Sequence, residues 1–215
     1  MTQVAMTDVT LFLREFARTR RDTGAIAPSS PLLARALTRY VIPSPGRARA
    51  VLEVGPGTGA VTRRIRASLG ALDSLDLVEA NPRFAELLHR DYGGDERVRL
   101  LTGLVQEHEL GSYDTIVCGL PFANFDAGTV EDIFGRLLAA LRPGGTLSFF
   151  AYAGMPPLRR VFTTGGARER TLAVQAVVGR TLDRHRFRTE TVFGNLPPAH
   201  VHHLAPVAPL LAYAG

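Results

Sequence analysis

The sequence predicts an α/β fold built on a doubly wound, mainly parallel sheet, and three observations predict it. Short apolar runs alternate with helix-patterned segments from residue 50 to residue 183, the pattern of a parallel sheet covered on both faces. The first run feeds a glycine-rich turn, Gly55-Pro56-Gly57-Thr58-Gly59, which opens the next helical segment. Two more apolar runs follow the last helical segment, as an antiparallel hairpin at one sheet edge requires.

In chain order, residues 9–21 place Val9, Phe12, Leu13 and Phe16 on one helical face, with Arg14, Arg18, Arg20 and Arg21 largely off it. Such a helix suits either a membrane interface or docking on its own domain. Residues 24–30 read as a loop. Ser30 followed by Pro31 starts a helix to about Tyr40, an N-cap hydroxyl followed by proline at the first helical position. Residues 43–49 (PSPGRAR) read as a linker. Strands are expected at 50–54, 75–79, 98–101, 113–118 and 146–152, and near 188–193 and 201–206. Helices are expected at 60–69, 82–90 (capped by Asn81), 129–141 and 169–183, the third stopped by Arg142-Pro143-Gly144-Gly145. The expectation is a seven-stranded, Rossmann-like sheet with an N-terminal amphipathic helical extension.

Charge is unevenly spread. Residues 1–50 and 151–215 each carry eight Arg and three acids, whereas residues 51–150 carry nine Arg and fourteen acids. Basic flanks around an acidic middle point to an anionic partner, nucleic acid or membrane surface. All the cations are Arg, which suits bidentate phosphate contact. No apolar run reaches the length of about 18 residues that spans a bilayer, and the N-terminus lacks a signal-peptide layout. The single cysteine, Cys118, excludes an intrachain disulfide and ends an apolar run, where a packed strand residue is expected. A cytoplasmic protein is expected.

The glycine turn carries the chemistry. It holds a proline and is compressed relative to the GxGxxG of dinucleotide sites. Glu53, two residues before Gly55, would repel a pyrophosphate but accept a cationic amino acid. Glu79 ends the next strand, placed to accept ribose hydroxyls. A phosphate-free cofactor with an ammonium group fits this acidity better than a dinucleotide.

The runs EVGPGTG (53–59), VEANP (78–82) and LRPGG (141–145) together resemble the class I S-adenosylmethionine-dependent methyltransferases, over roughly residues 50–152. The resemblance implies S-adenosylmethionine as cofactor. Gly55, Gly57 and Gly59, with Glu53 and Thr58 in the same turn, would hold its methionine part, and Glu79 its ribose. The acid usual after the third strand is missing from Gly103-Leu104-Val105-Gln106, so adenine recognition falls to backbone groups or Gln106. Gly119 and Leu120, after the fourth strand, complete the expected cofactor set. No metal is expected.

The substrate is addressed by Cys118-Gly119-Leu120-Pro121-Phe122. The rRNA adenine dimethyltransferases carry Asn-Leu-Pro-Tyr/Phe at this place, and Gly119 lacks the polar grip on a flipped base. The runs GAIAPSS (24–30), CGLPFANF (118–125) and GNLPPAHVHH (194–203) resemble the bacterial phospholipid N-methyltransferases nearly end to end. That resemblance implies N-methylation of phosphatidylethanolamine towards phosphatidylcholine. An rRNA adenine methyltransferase, or an enzyme of ornithine lipids or small amines, stands as the alternative. Residues 1–49 are then a helical membrane or substrate-cap segment, and residues 50–215 the S-adenosylmethionine-binding methyltransferase domain. Asn124, Tyr152, His200 and His202 are candidates to orient or deprotonate the amine; alternation puts His200 and His202 on one strand face and His203 on the other. Arg14, Arg18, Arg21, Arg159 and Arg160, with Ser29 and Ser30, are candidates for the headgroup phosphate. The expected partner is an anionic membrane surface rather than nucleic acid, with the protein peripheral on the inner face.

Overall fold

The computed structural model describes residues 30–42, 46–152, 165–194 and 197–207. Seven strands, β1 (Ala50–Val54), β2 (Ser74–Glu79), β3 (Val98–Thr102), β4 (Tyr113–Cys118), β5 (Leu141–Tyr152), β6 (Arg186–Val192) and β7 (Ala199–Leu204), form one sheet in the order β3-β2-β1-β4-β5-β7-β6. The first five are parallel; β7 runs antiparallel between β5 and β6. The helices are α1 (Pro31–Leu37), α2 (Thr62–Ala67), α3 (Pro82–Tyr92), α4 (Ala127–Ala139) and α5 (Gly165–His185). Strand order reverses between β1 and β4, and the crevice beyond their carboxyl ends is where such sheets bind ligands.

Alternation along the strands builds two cores. Leu52, Ile116, Leu147 and Phe149 face Ile133, Phe134 and Leu137 of α4 and Val174 and Val177 of α5. Val51, Leu77, Val117 and Phe150 face Leu33 and Leu37 of α1, Ile65 of α2 and Leu88 of α3. Helix starts are fixed by side-chain caps: Ser30 Oγ accepts from Leu33 N–H (3.2 Å), Asn81 Oδ1 from Arg83 N–H (3.0 Å) and Asp126 Oδ1 from Thr129 N–H (2.8 Å).

The element bounds differ from expectation chiefly around Pro143. α4 ends at Ala139 and β5 already begins at Leu141, which pairs with Tyr113 before Thr146 pairs with Thr115. Arg142-Pro143-Gly144-Gly145 is thus a bulge within the strand rather than a loop ahead of it, with Gly144 turning at φ 78°. β6 and β7 begin earlier than expected because α5 passes directly into β6 at Arg186, and β7 stops before Pro206, which has no N–H for the ladder. The amphipathic segment 9–21, with Arg14, Arg18 and Arg21, lies outside the described residues, as do Ser29, Arg159 and Arg160.

Candidate active site

The strand ends Val54 and Cys118 lead into Gly55 and Gly119, and the two loops lie against each other. Gly119 N–H donates to the Val54 carbonyl (2.8 Å), and Gly55 N–H to the Val78 carbonyl (2.9 Å). Gly55 has φ 72°, and a Cβ there would stand 2.9 Å from Leu120 Cδ2. A Cβ on Gly119 would stand 2.7 Å from the Gly55 carbonyl oxygen, closer than backbone tolerates. The residue at 119 is therefore glycine for packing, as well as lacking a polar grip on a base.

A cleft opens on one side of this junction, outside the carboxyl ends of the strands. Gly55, Gly57, Glu79, Gln106, Gly119 and Leu120 line it, joined by Asn81, Phe84, Leu104 and Phe125. The Glu79 carboxylate is already oriented: it accepts from Gly57 N–H (2.9 Å) and Asn81 N–H (2.7 Å). A carboxylate has further lone pairs to offer a hydroxyl-bearing ligand. Gly103 follows β3 with φ 134°, and Glu107 Oε2 accepts from Leu104 N–H (2.7 Å), so this acid serves as a local cap.

A second hollow lies across the junction, sharing Gly55 and Gly119 with the first. Glu53, Thr58, Val117, Phe150 and Leu37 of α1 are among its lining residues. Glu53 is 2% exposed and its Oε2 has no hydrogen-bond partner among the described residues. Burial pushes its carboxyl up to about 8; the Thr62 hydroxyl opposes this without a well-formed hydrogen bond, and the charge of Glu79 adds to it. An unsatisfied buried carboxyl beside an open hollow is a receptor for a cationic group.

The residues expected to handle an amine do not line either hollow. Asn124 sits exposed in the turn after β4. Tyr152 packs on a lining residue, its ring 5.2 Å from that of Phe150. His200 and His202 share a face, ring centroids 6.2 Å apart, and bond to Thr191 and Thr189. Burial, with the charges of His200, Arg186 and His203, lowers His202 to about 4, so it is neutral at physiological pH. His203 faces the other side, fully buried, between Ser148 Oγ (Nδ1, 2.8 Å) and Glu190 Oε1 (Nε2, 3.2 Å). Arg39, just after α1, pairs with the same Glu190. Ser30 spends its hydroxyl as the α1 cap. Leu37, Phe84 and Phe150 escaped sequence reasoning because an apolar lining residue has the same sequence signature as a core residue. Cys118 is fully buried, and burial pushes its thiol up to about 12, so it is a packed strand residue.

Residues 52–147 match the methyltransferase domain family. The chain is similar to the ornithine lipid N-methyltransferase of Singulisphaera acidiphila, 33% identical over 150 residues that make up 66% of this chain and 77% of that protein. It is also similar to ribosomal RNA small subunit methyltransferase A of a Nostoc species, 33% identical over 97 residues, but there the match spans 40% of this chain and 34% of the relative. Among solved structures, an O-methyltransferase from Bacillus cereus in complex with SAH superposes with a TM-score of 0.62, at 15% identity over 90% of both chains. The chain belongs to the class I S-adenosylmethionine-dependent methyltransferases, and its cofactor is S-adenosylmethionine.

Proposed function

We propose that this methyltransferase transfers a methyl group to the primary amine of a membrane-lipid headgroup, with phosphatidylethanolamine as substrate on the way to phosphatidylcholine. The observation that carries the reading is the two-part cleft: a hollow suited to a nucleoside and, across the Gly55–Gly119 junction, a second hollow under α1 with a buried acid in its wall. Similarity to a lipid N-methyltransferase over 77% of that protein supports it, and extends further than the similarity to an RNA methyltransferase. The relative's name favours ornithine lipid as a second reading; both lipids present an amine at a bilayer surface.

The cofactor's residue set fits. Glu53 Oε2 would meet an α-ammonium with charge and a hydrogen bond where no group among the described residues does so. Glu79, held by Gly57 and Asn81, accepts from ribose hydroxyls. Phe84, Leu104 and Val105 enclose an adenine ring, and Gln106 lies within the same lining to read its edge. When bound, the cofactor supplies an electrophilic sulfonium methyl group. The chain's part is to orient the amine and accept its proton, because an ammonium with a pKa near 10 has no free lone pair. Leu37, Val117 and Phe150 exclude water around the approaching headgroup. Tyr152, beside Phe150, is the first candidate to hold the amine; Asn124, His200 and the neutral His202 stand behind it. Residues 1–49, with Arg14, Arg18 and Arg21, and Arg159 and Arg160 are proposed to meet lipid phosphates. The protein is then peripheral on the cytoplasmic face; among the described residues no helix is long and apolar enough to cross a membrane, and no group of side chains suits a metal.

The test is incubation with labelled S-adenosylmethionine and vesicles holding phosphatidylethanolamine and ornithine lipid together, followed by lipid mass spectrometry. Label in phosphatidylethanolamine is expected. Label confined to ornithine lipid selects the second reading, and label in neither overturns both.

A further inference from the structure

Two exposed apolar side chains meet at one point of the surface. Phe193 is 80% exposed and Leu32 is 54% exposed. A Cβ built on Gly194 would stand 2.5 Å from Leu32 Cδ1, so Leu32 lies against the turn that carries Phe193. This turn follows Val192, which pairs with Ala199, which pairs in turn with Tyr152 at the end of β5. Because β5 is parallel to β4, and β4 to β1, Leu32 and Phe193 stand at the same end of the sheet as the cleft. α1 links the two places, with Leu32 at the exposed tip and Leu37 in the cleft wall.

Glu190 of β6, three residues before Phe193, is taken up by Arg39 and Arg188. Arg35, one turn after Leu32, is exposed and makes no ion pair among the described residues. At the opposite end of the strands the pattern is different: Arg47 and Arg142 pair with Asp114, Arg49 with Asp73, Arg97 with Asp95 and Arg99 with Asp76. The exposed acids Glu107 and Asp126 follow β3 and β4, away from the β6–β7 turn, and each is engaged as a local cap. An apolar point beside an unpaired guanidinium group matches an anionic bilayer, where rings and aliphatic chains enter the interface and Arg meets phosphate.

We infer that Leu32 and Phe193 form an apolar tip that enters an anionic bilayer, with Arg35 against its phosphates, turning the cleft under α1 towards the lipid headgroups. The inference rests on the lipid-amine reading above, and the test separates the two. The chain has no tryptophan, so a Phe193→Trp variant carries one fluorescent reporter at the tip and a Leu72→Trp variant carries one at the opposite end, where Leu72 is 75% exposed. With vesicles of phosphatidylglycerol and phosphatidylethanolamine, the Phe193→Trp emission is expected to shift to the blue and the Leu72→Trp emission to stay in place. A Leu32→Ser/Phe193→Ser variant is expected to sediment with these vesicles at least tenfold more weakly than the unaltered chain, with unchanged cofactor affinity as the check that it is folded. An unshifted Phe193→Trp spectrum, or a double variant that binds vesicles like the unaltered chain, overturns the tip even where lipid is methylated. A blue shift and tip-dependent binding in a protein that methylates no lipid amine leave the tip in place and remove the lipid-amine reading instead.

Discussion

Burial holds the Glu53 carboxyl near 8, well above the value of about 4.3 it would have in an unfolded chain. The folded, cofactor-free protein therefore binds a proton that the unfolded chain releases, and this group's contribution to stability falls as pH rises from about 4.3 towards 8. An ammonium docked on Glu53 reverses the shift, so cofactor binding at neutral pH expels that proton. Affinity is expected to tighten by up to about tenfold per pH unit between 6 and 8, then weaken as the α-ammonium itself deprotonates near 8. Calorimetry in two buffers of different ionisation enthalpy counts the released proton. Glu53→Gln removes both the proton release and the pH slope; a variant that keeps either shows that the ammonium docks elsewhere. At Gly119 the forecast is steric. Gly119→Asn, which restores the residue of the adenine enzymes, forces a Cβ against the Gly55 carbonyl. It is expected to lower thermal stability and weaken cofactor binding at least tenfold, with no RNA methylation gained, as thermal melts and titration will read. Gly119 was legible in the sequence as a missing Asn, but its close approach to Gly55 was not, because that pairing joins residues of two different strands.

At the scale of elements, the caps and the breaks explain where reading the sequence succeeded. Residues 113–118 were legible to the residue, since an apolar run is closed by Gly119-Leu120-Pro121 and nothing else competes. β5 was not: Pro143 and two glycines carry the signature of a loop, yet the Tyr113–Leu141 pair keeps the strand going behind the bulge. The place of α1 was equally hidden. Its cap was readable from Ser30-Pro31, but its docking depends on long-range partners: Glu190 with Arg39, and the ring of Tyr40 on that of His203 at 4.8 Å. The Asp126 cap gives a direct forecast. Burial alone would raise its carboxyl, but hydrogen bonds from Thr129 and nearby backbone bring it below the usual value. Its stabilisation is then complete above about pH 3.9 and is lost as pH falls through the lowered folded value. Asp126→Ala is expected to cost about 1 kcal/mol in urea unfolding at pH 7, and much less at pH 2; an equal loss at both pH values would assign the effect to something other than the carboxylate.

At the scale of the whole molecule, the parallel sheet and its switch point set the cofactor, while the surroundings of the cleft bear on the substrate. The switch point was legible from EVGPGTG and VEANP alone, because a glycine turn between strand and helix leaves a local pattern. The second hollow was not, because Leu37, Val117 and Phe150 come from three distant elements and each reads as core. The basic flanks were legible as charge, and the Arg–Asp pairs at the far end of the strands leave Arg35 unpaired, among the described residues, at the end where the cleft opens. We propose that this cleft methylates a lipid amine and not an RNA base. It is tested most directly by giving the protein labelled S-adenosylmethionine together with phosphatidylethanolamine vesicles and ribosomal RNA, then measuring where the label goes. Label is expected on the headgroup amine, recovered with the lipid; label recovered with adenine of the RNA, and none in lipid, overturns the lipid-amine reading.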